Sequence, residues 1–205
     1  MTIYYIDNNR GNDSNNGTSK DTAWKNLTKI ATVAAAAGDQ FLLADDSVWE
    51  PPITERVIAP NTWNGTKQNP VVIGKYNYEG VSSRAKPTIK WNKKIQPNEW
   101  VYSAPNNAWT FTHNASVGPL CLLRLNNTWS ASYVDSGLPL ASVDGRYFVS
   151  GSTLYLYAPS NIDPTTYYGE VLLSPNSGYF TFSTNRRHVL IQDIHFENTS
   201  TGVLA

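Results

Sequence analysis

Between residues 41 and 91 the chain carries four short β-prone runs, at 41–44, 53–58, 71–76 and 88–91, with nothing helical between them. That absence constrains the fold more than any single motif does. Strands can pair in parallel only if the chain crosses over between them, and the ordinary crossover is a helix. Without such helices, parallel pairing requires a coiled, solenoidal path in which each run forms one side of a coil. The runs are spaced as successive sides of early coils would be.

The segment before them fits the start of such a path. Residues 3–6 alternate weakly and are predicted to form a strand, and residues 7–19 are a run of Asn, Asp, Gly and Ser that reads as consecutive tight turns. Over residues 21–37, Trp24, Leu27, Ile30, Ala31 and Ala34 recur at helical spacing, with Thr18, Ser19 or Asp21 as N-cap and Gly38 at the C-cap. This predicts one amphipathic helix, laid over the open apolar end of the first coil.

Residues 92–175 break the pattern, with strand-like runs at 100–102, 109–112, 120–125, 147–149, 153–157 and 169–173. They are expected to form an antiparallel insertion on the side of the solenoid, with Ser150-Gly151 as a hairpin turn. From Tyr179 the coil pattern resumes. Val189, Ile191, Ile194 and Phe196 are expected to point inward around a corner at Gln192 and Asp193, with Asn198 starting an amide ladder. The expected organisation is a cap and first coils at 1–91, the insertion at 92–175 and a resumed coil at 176–205. The open end of that coil calls for further coils or a covering subunit.

Several segments together resemble the N-terminal part of the pectate-lyase-like superfamily, and within it the bacteriophage tailspike depolymerases. They are Tyr4-Tyr5-Ile6-Asp7, the turns from Gly11-Asn12-Asp13 to Gly17-Thr18-Ser19, Ala23-Trp24-Lys25-Asn26-Leu27, Gly38-Asp39-Gln40-Phe41-Leu42-Leu43, Asn69-Pro70-Val71-Val72-Ile73-Gly74-Lys75-Tyr76 and Lys86-Pro87-Thr88-Ile89, with the coil from His188 as a second match. The resemblance implies an all-β fold: a right-handed parallel β-helix with a capping helix and an inserted antiparallel β region. It also implies a bacterial surface polysaccharide as partner, a homotrimer, other tail proteins as neighbours and a place in the virion tail. Two alternatives stay open: a secreted bacterial polysaccharide lyase or glycoside hydrolase, and a non-enzymatic carbohydrate-binding or structural module. In that superfamily the active groups lie in later coils or between subunits, so this segment alone is expected to be inactive.

Composition narrows the partners. Lys plus Arg and Asp plus Glu are both 16, and no basic stripe is present, so no field exists to hold a polyanion. Nucleic acid and membrane surfaces are thereby disfavoured. No apolar run approaches a membrane span, and the opening Met1-Thr2-Ile3-Tyr4-Tyr5 has neither the basic nor the apolar region of a leader, so a cytosolically made product is expected, although a secreted enzyme whose signal has been removed could begin the same way. The lone Cys121 has no internal disulfide partner and reads as a small buried hydrophobe. Aromatics make up 12% of the chain, with seven Trp set among Asn, Ser and Thr. Flat rings beside amides and hydroxyls suit sugars, and Trp63, Trp109 and Trp129 are the candidate platforms; packing in a β-rich chain accounts for the same rings.

Three groups of polar residues carry possible chemistry. Asp193, His195 and Glu197 are expected on one outer face, where they suit general acid/base work, a divalent ion or mere solvation. Asp7, Asn9, Asp13 and Asn15 offer oxygens to calcium, the one cofactor considered, but lack the terminal bidentate Glu of a calcium loop; Asx-turns explain them equally. Asp45, Asp46, Glu50 and Glu55 either include a glycosidase pair or are charges that guard a strand edge. His113, His188 and His195 lack zinc-site spacing.

Overall fold

A computed structural model describes residues 1–79, 85–112, 122–125, 128–130, 137–140, 142–174, 178–182, 188–197 and 201–204. The chain is mostly β. The first strands are β1 (Ile3–Ile6), β2 (Gln40–Ala44), β3 (Val48–Trp49), β4 (Val57–Ile58), β5 (Val71–Tyr76) and β6 (Thr88–Lys90). A second group follows: β7 (Lys93–Lys94), β8 (Val101–Ser103), β9 (Ala108–Thr112), β10 (Leu122–Leu125), β11 (Thr128–Ser130), β12 (Tyr147–Ser150), β13 (Thr153–Leu156), the short helix α1 (Pro164–Tyr168) and β14 (Val171–Ser174). The last strands are β15 (Gly178–Thr181), β16 (Val189–Ile191), β17 (His195–Glu197) and β18 (Thr201–Leu204).

Three sheets contain only parallel pairs: β1-β2-β5-β16, β3-β6-β17 and β4-β15-β18. Each takes one strand from each of three successive passes of the chain. The passes are β2-β3-β4, β5-β6-β15 and β16-β17-β18, and β1 adds outside the first. Register follows the apolar alternation, with Tyr4, Phe41, Ile73 and Ile191 in line across one sheet and Trp49, Ile89 and Phe196 across another. A one-residue slip would turn each row out to solvent. Inside these sheets lies a buried core that includes Ile6, Phe41, Leu43, Trp63, Val71, Ile73, Ile89, Trp91 and Phe180.

The helix expected over 21–37 is absent. Leu27–Thr32 forms a 3-10 helix that buries Leu27 and Ile30, and its N-cap, Asn26, makes no side-chain cap. Thr18, Ser19 and Asp21 lie well before it. Two side interactions divert the backbone that would have continued a helix: the carbonyl of Val33 accepts from the Trp63 indole at 2.8 Å, and that of Ala35 from the Asn64 amide at 3.4 Å. The edge of β1 is instead closed by the turn-rich loop. Asp7 N–H donates to Trp24 O at 2.8 Å, Trp24 N–H to Tyr5 O at 2.9 Å, and Tyr5 N–H to Gly17 O at 2.7 Å. Trp24 then begins a ring stack, with Tyr4 at 5.1 Å, Phe41 5.2 Å beyond Tyr4, and Trp63 5.0 Å beyond Phe41.

Gly17 is required under that stack. Its φ is +74°, and a Cβ there would stand 2.5 Å from Cε2 of Trp24. Gly17→Ala is expected to lower unfolding free energy by roughly 1–3 kcal/mol, through strain and displacement of the indole. Urea unfolding followed by tryptophan fluorescence reads this directly, and an unchanged midpoint would show that the loop does not depend on the close approach.

The second group of strands forms two antiparallel sheets, β12-β13-β9-β8 and β11-β10-β14-β7. They enclose their own apolar cluster, which includes Ile95, Trp100, Phe111, Leu154, Leu156, Val171 and Leu173. The β12–β13 hairpin turns through Gly151 at φ +57°, a left-handed position that glycine takes without strain. Where a strand is expected over 169–173, α1 ends at Gly169 and the strand starts at Val171. The Asp163 carboxylate caps α1 by accepting from Thr165 and Thr166 N–H.

Candidate carbohydrate-binding cleft

The register of the second parallel sheet builds a charged row. Glu197 stands opposite Lys90 across β17 and β6, and Glu50, one residue past Trp49, continues the row on the β3 side. The Lys90 ammonium lies 3.7 Å from Glu50 and 3.8 Å from Glu197. Both contacts are longer than hydrogen bonds, so the lysine serves as a shared counter-ion. Held by one ammonium, the two paired carboxylate oxygens lie no more than about 7.5 Å apart, an upper limit compatible with the separations that glycoside hydrolysis uses. Lys90 is shared by the two carboxylates. The row therefore offers hydroxyl groups both acceptors and a donor.

The row forms one wall of a cleft of about 770 Å³, and the antiparallel sheets form the other, through Phe111, Arg124 and Leu172, with Glu170 just before β14. Within its lining Lys93 pairs with Glu99 at 2.8 Å and Lys94 with Glu170 at 3.2 Å. Burial alone would raise the Glu99 carboxyl, but the Lys93 ammonium and the Gln96 N–H outweigh it and hold it below the usual range. Four carboxylates and four cations line the cleft, so it has no net charge. The Glu50–Glu55 loop at its mouth is fixed from inside, because the Trp91 indole donates to Pro52 O at 3.1 Å and the Tyr179 hydroxyl to Glu55 Oε1 at 3.3 Å. Burial above all, and then the Glu55 charge, push the Tyr179 phenol well above its ordinary value, so it remains a donor.

Of Asp193, His195 and Glu197 only Glu197 lines the cleft, and of Asp45, Asp46, Glu50 and Glu55 only Glu50 does. Asp193 turns the corner before β17 at φ +57° and lies 3.8 Å from Lys86, while His195 is exposed opposite Thr88. Trp63 cannot be a sugar platform, since it is 1% exposed inside the core. Trp109 is half-buried against the second core, beside Tyr102 at 5.4 Å, and away from the cleft. Trp129 sits in β11 opposite Arg124, and its side chain lies outside the described residues, as do His113, Cys121 and Asn198.

The acidic residues before Glu55 separate. The buried Asp45 accepts from Tyr78 N–H at 3.1 Å, and Asp46 pairs with Arg10. Asp7 accepts from Asn9 and Arg10 N–H, and the Asp13 carboxylate accepts from Lys25 and Asn26 N–H. The Asn9 and Asn15 amides donate to Asp46 O and Ala23 O. Among the described residues, no three His, Cys, Asp or Glu side chains are grouped as a metal site, and no helix is long and apolar enough to cross a membrane.

No family model matches the chain. A lacto-N-biosidase from Bifidobacterium longum is 27% identical over 125 residues, which is 60% of this chain and 7% of that protein. The chain is thus similar to a bacterial glycoside hydrolase. It spans only a small part of that relative's length. A solved structure described as a glycoside hydrolase aligns over 97% of this chain and 51% of its own, with a TM-score of 0.57 and 12% identity, and so shares the fold. A lacto-N-biosidase structure from Eubacterium ramulus aligns over 96% of this chain and 20% of its own, with a TM-score of 0.46 and 18% identity.

Proposed function

We propose that the chain is a right-handed parallel β-helical portion of a secreted bacterial glycoside hydrolase, and that its cleft holds glycan. The observation that carries this is the 27% identity over 125 residues with a lacto-N-biosidase. Three sheets that each collect one strand per pass support the β-helical reading, and right-handedness follows from the rule for parallel connections. These likenesses favour a glycoside hydrolase over the tailspike that the sequence resemblance implied. Glu50, Lys90 and Glu197 offer sugar hydroxyls two charged acceptors and a donor, which supports glycan binding in the cleft.

The test is calorimetric titration with linear neutral oligosaccharides of hexose and N-acetylhexosamine. Replacing both Glu50→Gln and Glu197→Gln removes charged acceptors for sugar hydroxyls and is expected to weaken binding about tenfold or more, with the fold intact by circular dichroism. Unchanged affinity would move the glycan elsewhere on the protein. Release of reducing sugar that is lost in this double variant would instead make the cleft catalytic.

A further inference from the structure

We infer that the glycan occupies two connected subsites, so that the ligand is an extended neutral oligosaccharide and not a single sugar; this rests on the glycan reading just proposed. A second cavity of about 390 Å³ adjoins the cleft and shares Glu50, Pro51 and Pro52 with it. Its lining includes the exposed apolar side chains of Val48 and Pro52, together with Asn8, Asn26 and Glu55. An apolar surface beside amides and carboxylates matches a sugar ring, which offers a CH face for contact and hydroxyls for hydrogen bonds.

The wall between the two cavities is pre-organised. Proline fixes φ at two of the three shared positions, and the Pro52 carbonyl is held by Trp91. On the second cavity's own side, the Trp49 indole donates to Lys25 O at 3.0 Å and the Asn8 amide to Val48 O at 2.7 Å. A ligand that spans both sides therefore gains contact without ordering a loop. Charge selects its chemistry: Glu50 and Glu55 line the second cavity, and neither Lys nor Arg does. A uronate or other anionic sugar placed there would face two carboxylates with no cation in the lining.

The experiment is a titration series with linear neutral oligosaccharides from disaccharide to hexasaccharide, and with uronate oligosaccharides of matched length. Affinity for the neutral series is expected to rise about tenfold once the chain is long enough to reach the second cavity, with the uronates gaining nothing. Val48 is 40% exposed on the rim of the second cavity and takes no part in lining the first. Val48→Tyr suits an exposed strand position and fills that space, so it is expected to abolish the length dependence and leave disaccharide affinity unchanged. Equal affinity at every length, or an equal loss for short and long ligands in Val48→Tyr, overturns the two-subsite inference alone. No binding by any neutral oligosaccharide overturns the glycan reading itself.

Discussion

Trp63→Ala is expected to lower unfolding free energy by about 3–5 kcal/mol while leaving glycan affinity of the folded protein unchanged. The side chain is 1% exposed, its ring stacks on Phe41 at 5.0 Å with a 6° interplanar angle, and its indole donates to the Val33 carbonyl. Truncation opens a cavity at the end of the Trp24–Tyr4–Phe41 stack and also leaves the Val33 carbonyl without its donor. Trp63→Phe keeps most of the packing and loses mainly the hydrogen bond, so its cost is expected nearer 1 kcal/mol. Denaturant unfolding of both variants measures the two contributions, and calorimetry on the folded material separates stability from recognition. The opposite pattern, near-normal stability with lost glycan binding, would restore Trp63 as a platform.

That contrast shows what the sequence makes legible. Phe41, Leu43, Val71 and Ile73 announce their strands because alternation is a local signal, and each is buried within a strand. Ser150-Gly151 is equally local, and the hairpin turns one residue on, at Gly151-Ser152, with Ser150 paired to Thr153. Trp24, Leu27 and Ile30 do face the core, so the periodicity is real. Their spacing is three residues throughout, which is the repeat of a 3-10 helix, and only Leu27–Thr32 becomes helical. A ring that stacks in the core and a ring that meets a sugar look the same in a sequence, so Trp63 carried no sign of its burial.

The cleft was still less legible. Glu50, Lys90 and Glu197 become neighbours only through the register of β3, β6 and β17, and the whole antiparallel unit lies between Lys90 and Glu197 in the chain. No spacing rule links them. Glu197 was singled out for its proximity to His195, but its partner across the sheet is Lys90. Phe111 and Arg124 belong to separate antiparallel strands, Glu170 lies between α1 and β14, and none of the three carries a motif. Once the register was known, opposite charges on adjacent strands could have pointed to the row.

Arg10→Met carries the other large expected effect, a loss of about 3 kcal/mol, because it strands a carboxylate that water cannot reach. Asp7 is fully buried; Arg10 pairs with it at 2.8 Å, and the Ser47 and Tyr76 hydroxyls donate to it at 3.2 and 3.3 Å. The guanidinium also pairs with Asp46 and lies 3.6 Å above the Tyr78 ring, so one side chain ties the opening loop to the first two passes of the chain. Hydrogen bonding from Arg10, working against burial, holds the Asp46 carboxyl below the usual aspartate range. A carboxyl depressed in the folded state contributes stability that is fully present above its unfolded value of about 3.9, and loses it as pH falls through the lower folded value. The stability gap between wild type and Arg10→Met is therefore expected to be constant from about pH 5 to 7 and to narrow below about pH 4, as Asp46 is protonated in the wild type. Urea midpoints measured from pH 3 to 7 test both statements. A gap that stays constant into acid would mean that Arg10 does not act through Asp46.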